Sequence, residues 1–339
     1  MSINCYRLCK RIFALIAIAI LFIGIVASLI YVYLNQAGPL STKKSLIIAP
    51  SSSISVITKH LYNEGIIEYP LIFQFTARIA GRFYKLKAGE YAFDVAVTPK
   101  QVLEILISGR YIVHHITFPE GITIKRIVEI LNEEPLLSGE IIDDIQEGSL
   151  FPSTYFFYYG TKRQEIINKM RQKMSNIVDK LWENQEQYGE SIIKSKEDMI
   201  ILASIIEKET SLKSEQRRIA AVFINRLAKG MKLQADPTII YAITDKRGYL
   251  GRLLTKEDLN TMSEYNTYIN YGLPPTPISN PGQAALEAVL KPLETKELFF
   301  VADPLTNGHK FTESLSEHNR NVRNYRTQLK QKRINGTIN

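Results

Sequence analysis

Cysteine is almost missing from this chain of 339 residues: there are two, Cys5 and Cys9. Everything after them must hold together without a disulfide and work without a thiolate nucleophile. Tryptophan occurs once, at Trp182, and its setting in a polar helical stretch suits packing better than a sugar platform. His309 and His318 stand nine residues apart with no neighbouring ligands, a spacing that fits no usual zinc pattern, so no metal site is expected. No basic stripe with interleaved aromatics is present either, which argues against nucleic acid as a partner. Nor is the composition that of a disordered chain: 45% of the residues are hydrophobic, enough for a substantial core, and the length suggests two or three domains.

What the sequence does have is one long oily run. Ile12 to Leu34 are 23 consecutive uncharged, mostly aliphatic or aromatic residues. As a helix they extend about 34 Å, enough to cross a bilayer core. Arg7, Lys10 and Arg11 precede the run, whereas the next charges after it are Lys43 and Lys44. The positive-inside bias therefore predicts a cytoplasmic segment 1–11, a transmembrane anchor 12–34 and an exported remainder. A cleaved signal peptide is the competing reading, although the run is longer than an ordinary signal core and no A-x-A site follows it. Setting aside the three leading cations leaves 39 Lys and Arg against 34 Asp and Glu, net +5, a mild surplus suited to anionic headgroups or an anionic wall polymer.

Residues 35–44 (NQAGPLSTKK) read as a juxtamembrane linker. A strand-then-helix pattern follows twice, with Ile54, Ile57 and Leu61 in the first copy and Ile124, Ile127 and Leu131 in the second at the same 3, 4 spacing. Between them KAGEYAFD alternates as a strand, and TPKQVLEILISG reads as a capped helix closed by Gly109. The expectation is a small α+β module over 45–135 and a larger domain over 136–339. The module is either a spacer or a βααβ unit of the kind that binds cell-wall glycan. Further on, helices are expected over 164–187, from Glu215 (after a Ser214 cap) to Lys229, around 284–290, and over 314–332, the last basic and amphipathic.

The stretch ILASIIEKETSL, residues 201–212, ends an apolar run with Glu207 and Glu209. Ser195 with Asp198 resembles a capping box, so a helix is expected to start at Lys196. At about 100° per residue, with Leu202 at zero, Ile205 falls at about 300°, Ile206 at about 40° and Glu209 at about 340°, whereas Glu207 falls at about 140°. Glu209 continues the apolar stripe and Glu207 leaves it. A carboxyl on such a face tends to keep its proton, as a general acid must. The plainer alternative is that Glu209 marks a frayed helix end.

LASIIEKET, AAVFINRLAKGMKLQADPTIIYA, YNTYINYGLPPTPISNPG, FFVAD and HKF, in that order, resemble the endolytic murein transglycosylases, the MltG or YceG-like proteins. The likeness extends over essentially the whole chain. It implies an α+β chain: one transmembrane helix, a small LysM-like α+β domain, and a mixed α/β catalytic domain with a lysozyme-like acid-bearing helix. It also implies cleavage of the β-1,4 bond between N-acetylmuramic acid and N-acetylglucosamine in nascent peptidoglycan, without water as the attacking group and with no cofactor. The family's catalytic glutamate maps onto EKET and is assigned to Glu209, with Glu207 the alternative.

The partners the resemblance implies are glycan strands, a bacterial inner membrane crossed once, and peptidoglycan synthases. By position, Gln234 and Asp236 in LQADPT, Tyr265, Asn266, Thr267 and Tyr268 in YNTY, and Asn280 in the proline-rich loop 272–282 are candidates to hold the sugar. Each has a structural alternative. Asp236 could cap the following helix, one or both tyrosines could be core, and the loop could be a rigid connector. Asn225 and Arg226 could face either cleft or solvent. A non-catalytic wall-binding scaffold is the competing function.

Overall fold

The computed structural model of the chain describes residues 3–81, 86–184, 192–304, 306 and 308–334. It divides into two compact units, the first formed by 1–114 with 158–160 and the second by 115–157 with 161–339.

The first unit opens with α1 (Ile3–Asn35), in which residues 7–35 are long and apolar enough to cross a membrane. Strand β1 (Lys44–Ile48), helices α2 (Ile54–Asn63) and α3 (Pro70–Gly81), strand β2 (Gly89–Phe93) and helix α4 (Pro99–Ser108) follow. The strands pair antiparallel, with Leu46 opposite Tyr91. One face of this ββ ribbon and the inner stripes of the helices bury Ile57, Leu61, Phe73, Tyr91, Phe93, Val102 and Leu106. Local chemistry sets the boundaries: Ser53 caps α2, Thr98 and Gln101 form a reciprocal box at the start of α4, and Gly109 closes it in the left-handed conformation. Helix α3 has no counterpart in the sequence reading. Its apolar residues are spread round the axis, so it shows no clean stripe, and Leu71, Phe75 and Ile79 stay exposed.

The second β–α repeat does not belong to this module. Strand β3 (His114–Thr117) pairs with β4 (Thr154–Phe157), and helix α5 (Ile124–Glu133) packs with them and with the start of α6 (Arg163–Glu183) in one core of Phe118, Ile127, Leu131, Phe157, Ile166 and Met170. The expected boundary at residue 135 therefore moves to His114. Helical spacing marks both copies alike. Which core each joins is decided by chain returning from β4 and α6, far along the sequence.

The larger core lies around α7 (Lys196–Glu209), α8 (Lys213–Ala228), α9 (Asp236–Ile243) and α11 (Gln283–Leu290), with the short α10 (Lys256–Leu259) between the last two. An antiparallel pair, β5 (Phe299–Asp303) and β6 (Gly308–Thr312), precedes α12 (Leu315–Ile334). The Ser195 side chain accepts from Asp198 N–H at the start of α7, as its spacing predicts. Helix α8 begins two residues before the expected Glu215. Leu212 N–H is satisfied by the Thr210 hydroxyl, and Glu215 turns its carboxylate to His309 instead. Trp182 is partly buried against the α7–α8 core, and the expected end of its helix at Gln187 lies outside the described residues.

Gly148 shows how tightly this unit closes. Its φ of +79° lies in the left-handed region, and an added Cβ would stand 2.6 Å from Pro277 Cγ and 2.8 Å from Ile200 Cγ2. Backbone strain and overpacking act together there. Gly148→Ala is expected to destabilise the second unit by roughly 2–4 kcal/mol, seen as a lower urea midpoint with an unchanged slope.

Candidate active site

Helix α7 is buried on nearly every side from Met199 to Ile206, so it has no single apolar stripe; its character changes abruptly at Glu207. The last turn carries Glu207, Lys208 and Glu209 to the rim of a depression of about 360 Å³, lined also by Glu120, Thr210, Ser211 and Lys213. Both glutamates are half-buried there. Their surroundings differ.

Glu209 is enclosed by protein while keeping a small solvent-facing area, and no described residue hydrogen-bonds its carboxyl. Burial pushes its pKa up to about 8, the negative charge of Asp236 adds to this, and Arg226 opposes it. The group is therefore protonated near neutral pH. Glu207 is also raised by burial, but Gly282 N–H donates to its Oε2 at 2.9 Å and Lys213 and Lys208 lie near, all of which favour the ionised form; Glu120 works against them. Two carboxyls side by side thus differ because one accepts a backbone N–H and the other accepts none.

Asp236 is exposed at the start of α9. It does not cap the helix; its carboxylate accepts from the Tyr268 hydroxyl. Gln234 is exposed with φ at +51°, a left-handed position that is strained for a non-glycine residue, and it is held there by Thr267 O accepting from its N–H at 3.1 Å. Arg226, nearly buried, donates through Nε to Leu298 O and through Nη1 to Leu233 O, both at 2.7 Å, with Gln234 Oε1 at 3.4 Å. Asn225 donates to Thr295 O and Glu297 O. These α8 residues thus tie the chain before β5, and only Arg226 also reaches the acid's surroundings.

Three other expected sugar contacts are withdrawn from the surface. Asn266 is fully buried, donating to Leu259 O and Thr261 O and accepting from Tyr268 N–H. Thr267 is equally buried, its hydroxyl shared between Ala235 N–H and Thr238. Asn280 is buried too, donating to Ile122 O and Glu147 and accepting from Leu150 N–H. Each has all its polar capacity engaged by protein, so each shapes the loops that carry others. Tyr265 packs its ring on Tyr241 and its hydroxyl on Thr276, away from Glu209's depression. The structure therefore brings Gln234, Asp236 and Tyr268 together beside Arg226 and Glu209, and leaves the rest as support.

Sequence reasoning passed over Glu120, Lys213 and Glu147. Glu120 pairs with Lys213 across the depression. Glu147, in EGSLFPSTY, is half-buried, and the partial loss of water around it pushes its pKa up to about 7. The one sequence signal for it is an acidic residue three positions before the run Leu150–Phe151, which by itself reads as an exposed turn.

Since Asp236 raises the Glu209 pKa, Asp236→Asn is expected to lower it. Any reaction requiring protonated Glu209 should then lose rate at a lower pH than in the unaltered chain, the Tyr268 bond being preserved by the amide oxygen. A pH–rate profile checks this.

A small α+β unit together with a larger unit whose buried helix ends in a protonated carboxyl defines the class of the fold. The chain belongs to the YceG-like family, whose model matches residues 46–324. It is 31% identical over 317 residues to the endolytic murein transglycosylase of Bacillus subtilis, covering 84% of this chain and 85% of that protein. It is 27% identical to the endolytic murein transglycosylase of Streptococcus pneumoniae, covering 81% of this chain and 57% of that longer protein. A crystal structure of a YceG-like protein from Listeria monocytogenes superposes with a TM-score of 0.53 at 31% identity, over 83% of this chain and 99% of that one.

Proposed function

We propose that this chain is a membrane-anchored endolytic lytic transglycosylase that cleaves the β-1,4 bond between N-acetylmuramic acid and N-acetylglucosamine in nascent strands, leaves 1,6-anhydro ends and so limits strand length. The observation that carries the reading is the Glu209 carboxyl, enclosed by protein with no hydrogen bond from a described residue, at the rim of a polar depression, where burial pushes its pKa up to about 8. The relatives' names supply the murein substrate.

In the proposed reaction Glu209 donates its proton to the glycosidic oxygen as the C1–O bond breaks and positive charge develops on the muramic ring. The resulting carboxylate takes the proton from the C6 hydroxyl, whose oxygen attacks C1 and closes the anhydro ring. One carboxyl serves both steps, and the leaving sugar keeps the first proton on its 4-hydroxyl. Asp236 and Tyr268 are proposed as sugar contacts, with Gln234 beside them. Asn266, Thr267 and Asn280 act through the backbone they hold, and Tyr265 through its packing on Tyr241 and Thr276.

The remaining proposals concern placement. Helix α1 serves as the single-pass anchor in the inner membrane, and the cations before its apolar core orient the rest to the periplasm. The βααβ unit is proposed as a LysM-like glycan-binding module, and synthases that make new strands as neighbours. Sacculi digested with the purified chain and resolved by mass spectrometry test the central claim: anhydro-muramyl ends support it, reducing ends would mean a hydrolase, and no cleavage at all would leave a wall-binding scaffold.

A further inference from the structure

A cavity of about 930 Å³ lies along the other half of α7. Glu147 sits in its lining with Lys196, Ile200, Tyr241, Tyr265 and Pro277. Its carboxyl is held from three directions. Oε1 accepts from Ile124 N–H, the first residue of α5, at 3.0 Å, and from Asn280 Nδ2, also at 3.0 Å; Oε2 accepts from the Tyr241 hydroxyl at 3.3 Å.

Each of these grips leads toward the acid. The α5 end continues back through Ile122 and Gly121 to Glu120, which lines the Glu209 depression. Gly121 N–H donates to Asn280 O and Asn280 N–H to Ile122 O, so the 119–123 turn and the proline-rich loop form one pinned platform. That loop runs on to Gly282, whose N–H holds Glu207. Tyr241 stands on α9, the helix that opens with Asp236. A single half-buried carboxyl therefore joins the three segments that surround the last turn of α7.

We propose that Glu147 is a positioning residue for the chemistry at Glu209, fixing the walls of the depression through Ile124, Asn280 and Tyr241 while its proton exchanges with solvent through the cavity. This rests on the transglycosylase reading. Charged and titratable groups near Glu147 are Lys246 and Tyr241 from α9 and the turn after it, Lys208 from α7, and Lys125 from α5, which is itself paired with Asp245. With its carboxyl raised to about 7 by burial, the tyrosine bond reverses on ionisation: protonated Oε2 donates to Tyr241, and ionised Oε2 accepts from it.

Glutamine reproduces the protonated form, since its oxygen can accept from Ile124 and Asn280 while its amide donates to Tyr241. The test uses the full chain in detergent, following release of anhydro ends and the thermal midpoint from about pH 5.5 to about pH 8.5. Glu147→Gln is expected to stay within about threefold of the unaltered rate at the acid end and to lose the ionisation near neutrality from both its pH–rate profile and its stability profile. Glu147→Ala is expected to lose about tenfold to a hundredfold in kcat with KM little changed.

Two results overturn the proposal. One is a folded Glu147→Ala chain that turns over at the unaltered rate. The other is a Glu147→Gln chain whose stability profile overlays the unaltered one across the whole range, which needs no substrate to observe. Absence of cleavage by the unaltered chain would instead sink the functional reading, and the catalytic part of this inference with it.

Discussion

Replacing Glu209 by glutamine is expected to abolish release of anhydro ends, with a loss of about a hundredfold to ten-thousandfold or more, because the same carboxyl is asked to give a proton and then take one. Glutamine can do neither. Glu207→Gln should keep most of the activity, since Gly282 N–H finds an amide oxygen in place of the carboxylate it holds. Equal losses in the two variants, or loss only at position 207, would move the acid to Glu207 and overturn the assignment.

Stability gives a second readout for the same variant. Glu209 titrates at about 8 in the fold, against an ordinary value of 4.5. The native state therefore holds a proton that the unfolded chain releases, so this carboxyl lowers stability progressively as pH rises from about 4.5 to about 8. Glu209→Gln removes that penalty. At pH 7 it should stabilise the second unit by about 3 kcal/mol, and below about pH 4.5 the gain should vanish.

Arg226→Met is expected to cost about 3 kcal/mol in urea unfolding. The methionine fills similar space. Yet Leu298 O and Leu233 O lose their donor, and Glu209 loses the cation that opposes its raised pKa. With that opposing charge gone the Glu209 pKa should rise further, moving the alkaline loss of activity to higher pH, opposite in direction to Asp236→Asn. Arg226→Lys restores charge but lacks the planar fork that reaches both carbonyls, so it should recover the pH profile better than the stability. A stability change below about 0.5 kcal/mol would show that the guanidinium is dispensable to the fold.

Much of the local structure was legible from residues alone. The Ser195 cap, the capped start of α4, the Gly109 stop and the apolar run of α1 are each decided within a few positions of chain, where side-chain chemistry and backbone preference act directly. The helical stripe pointed to Glu209 as the carboxyl facing protein, although α7 proves to be buried nearly all round. Less legible were Asn266, Thr267 and Asn280. A polar residue in a loop looks the same in sequence whether it meets a ligand or binds its own backbone, and here all three are buried and engaged internally.

By itself the sequence determined the oily N-terminal helix, the extents of most helices and the presence of two neighbouring acids at the end of one of them, because those depend on short-range order. Only the tertiary structure decided how differently the two acids are held. That depends on Asp236, Arg226 and Gly282, residues that are remote along the chain and act on a carboxyl only once folding has excluded water and set charge and N–H within reach.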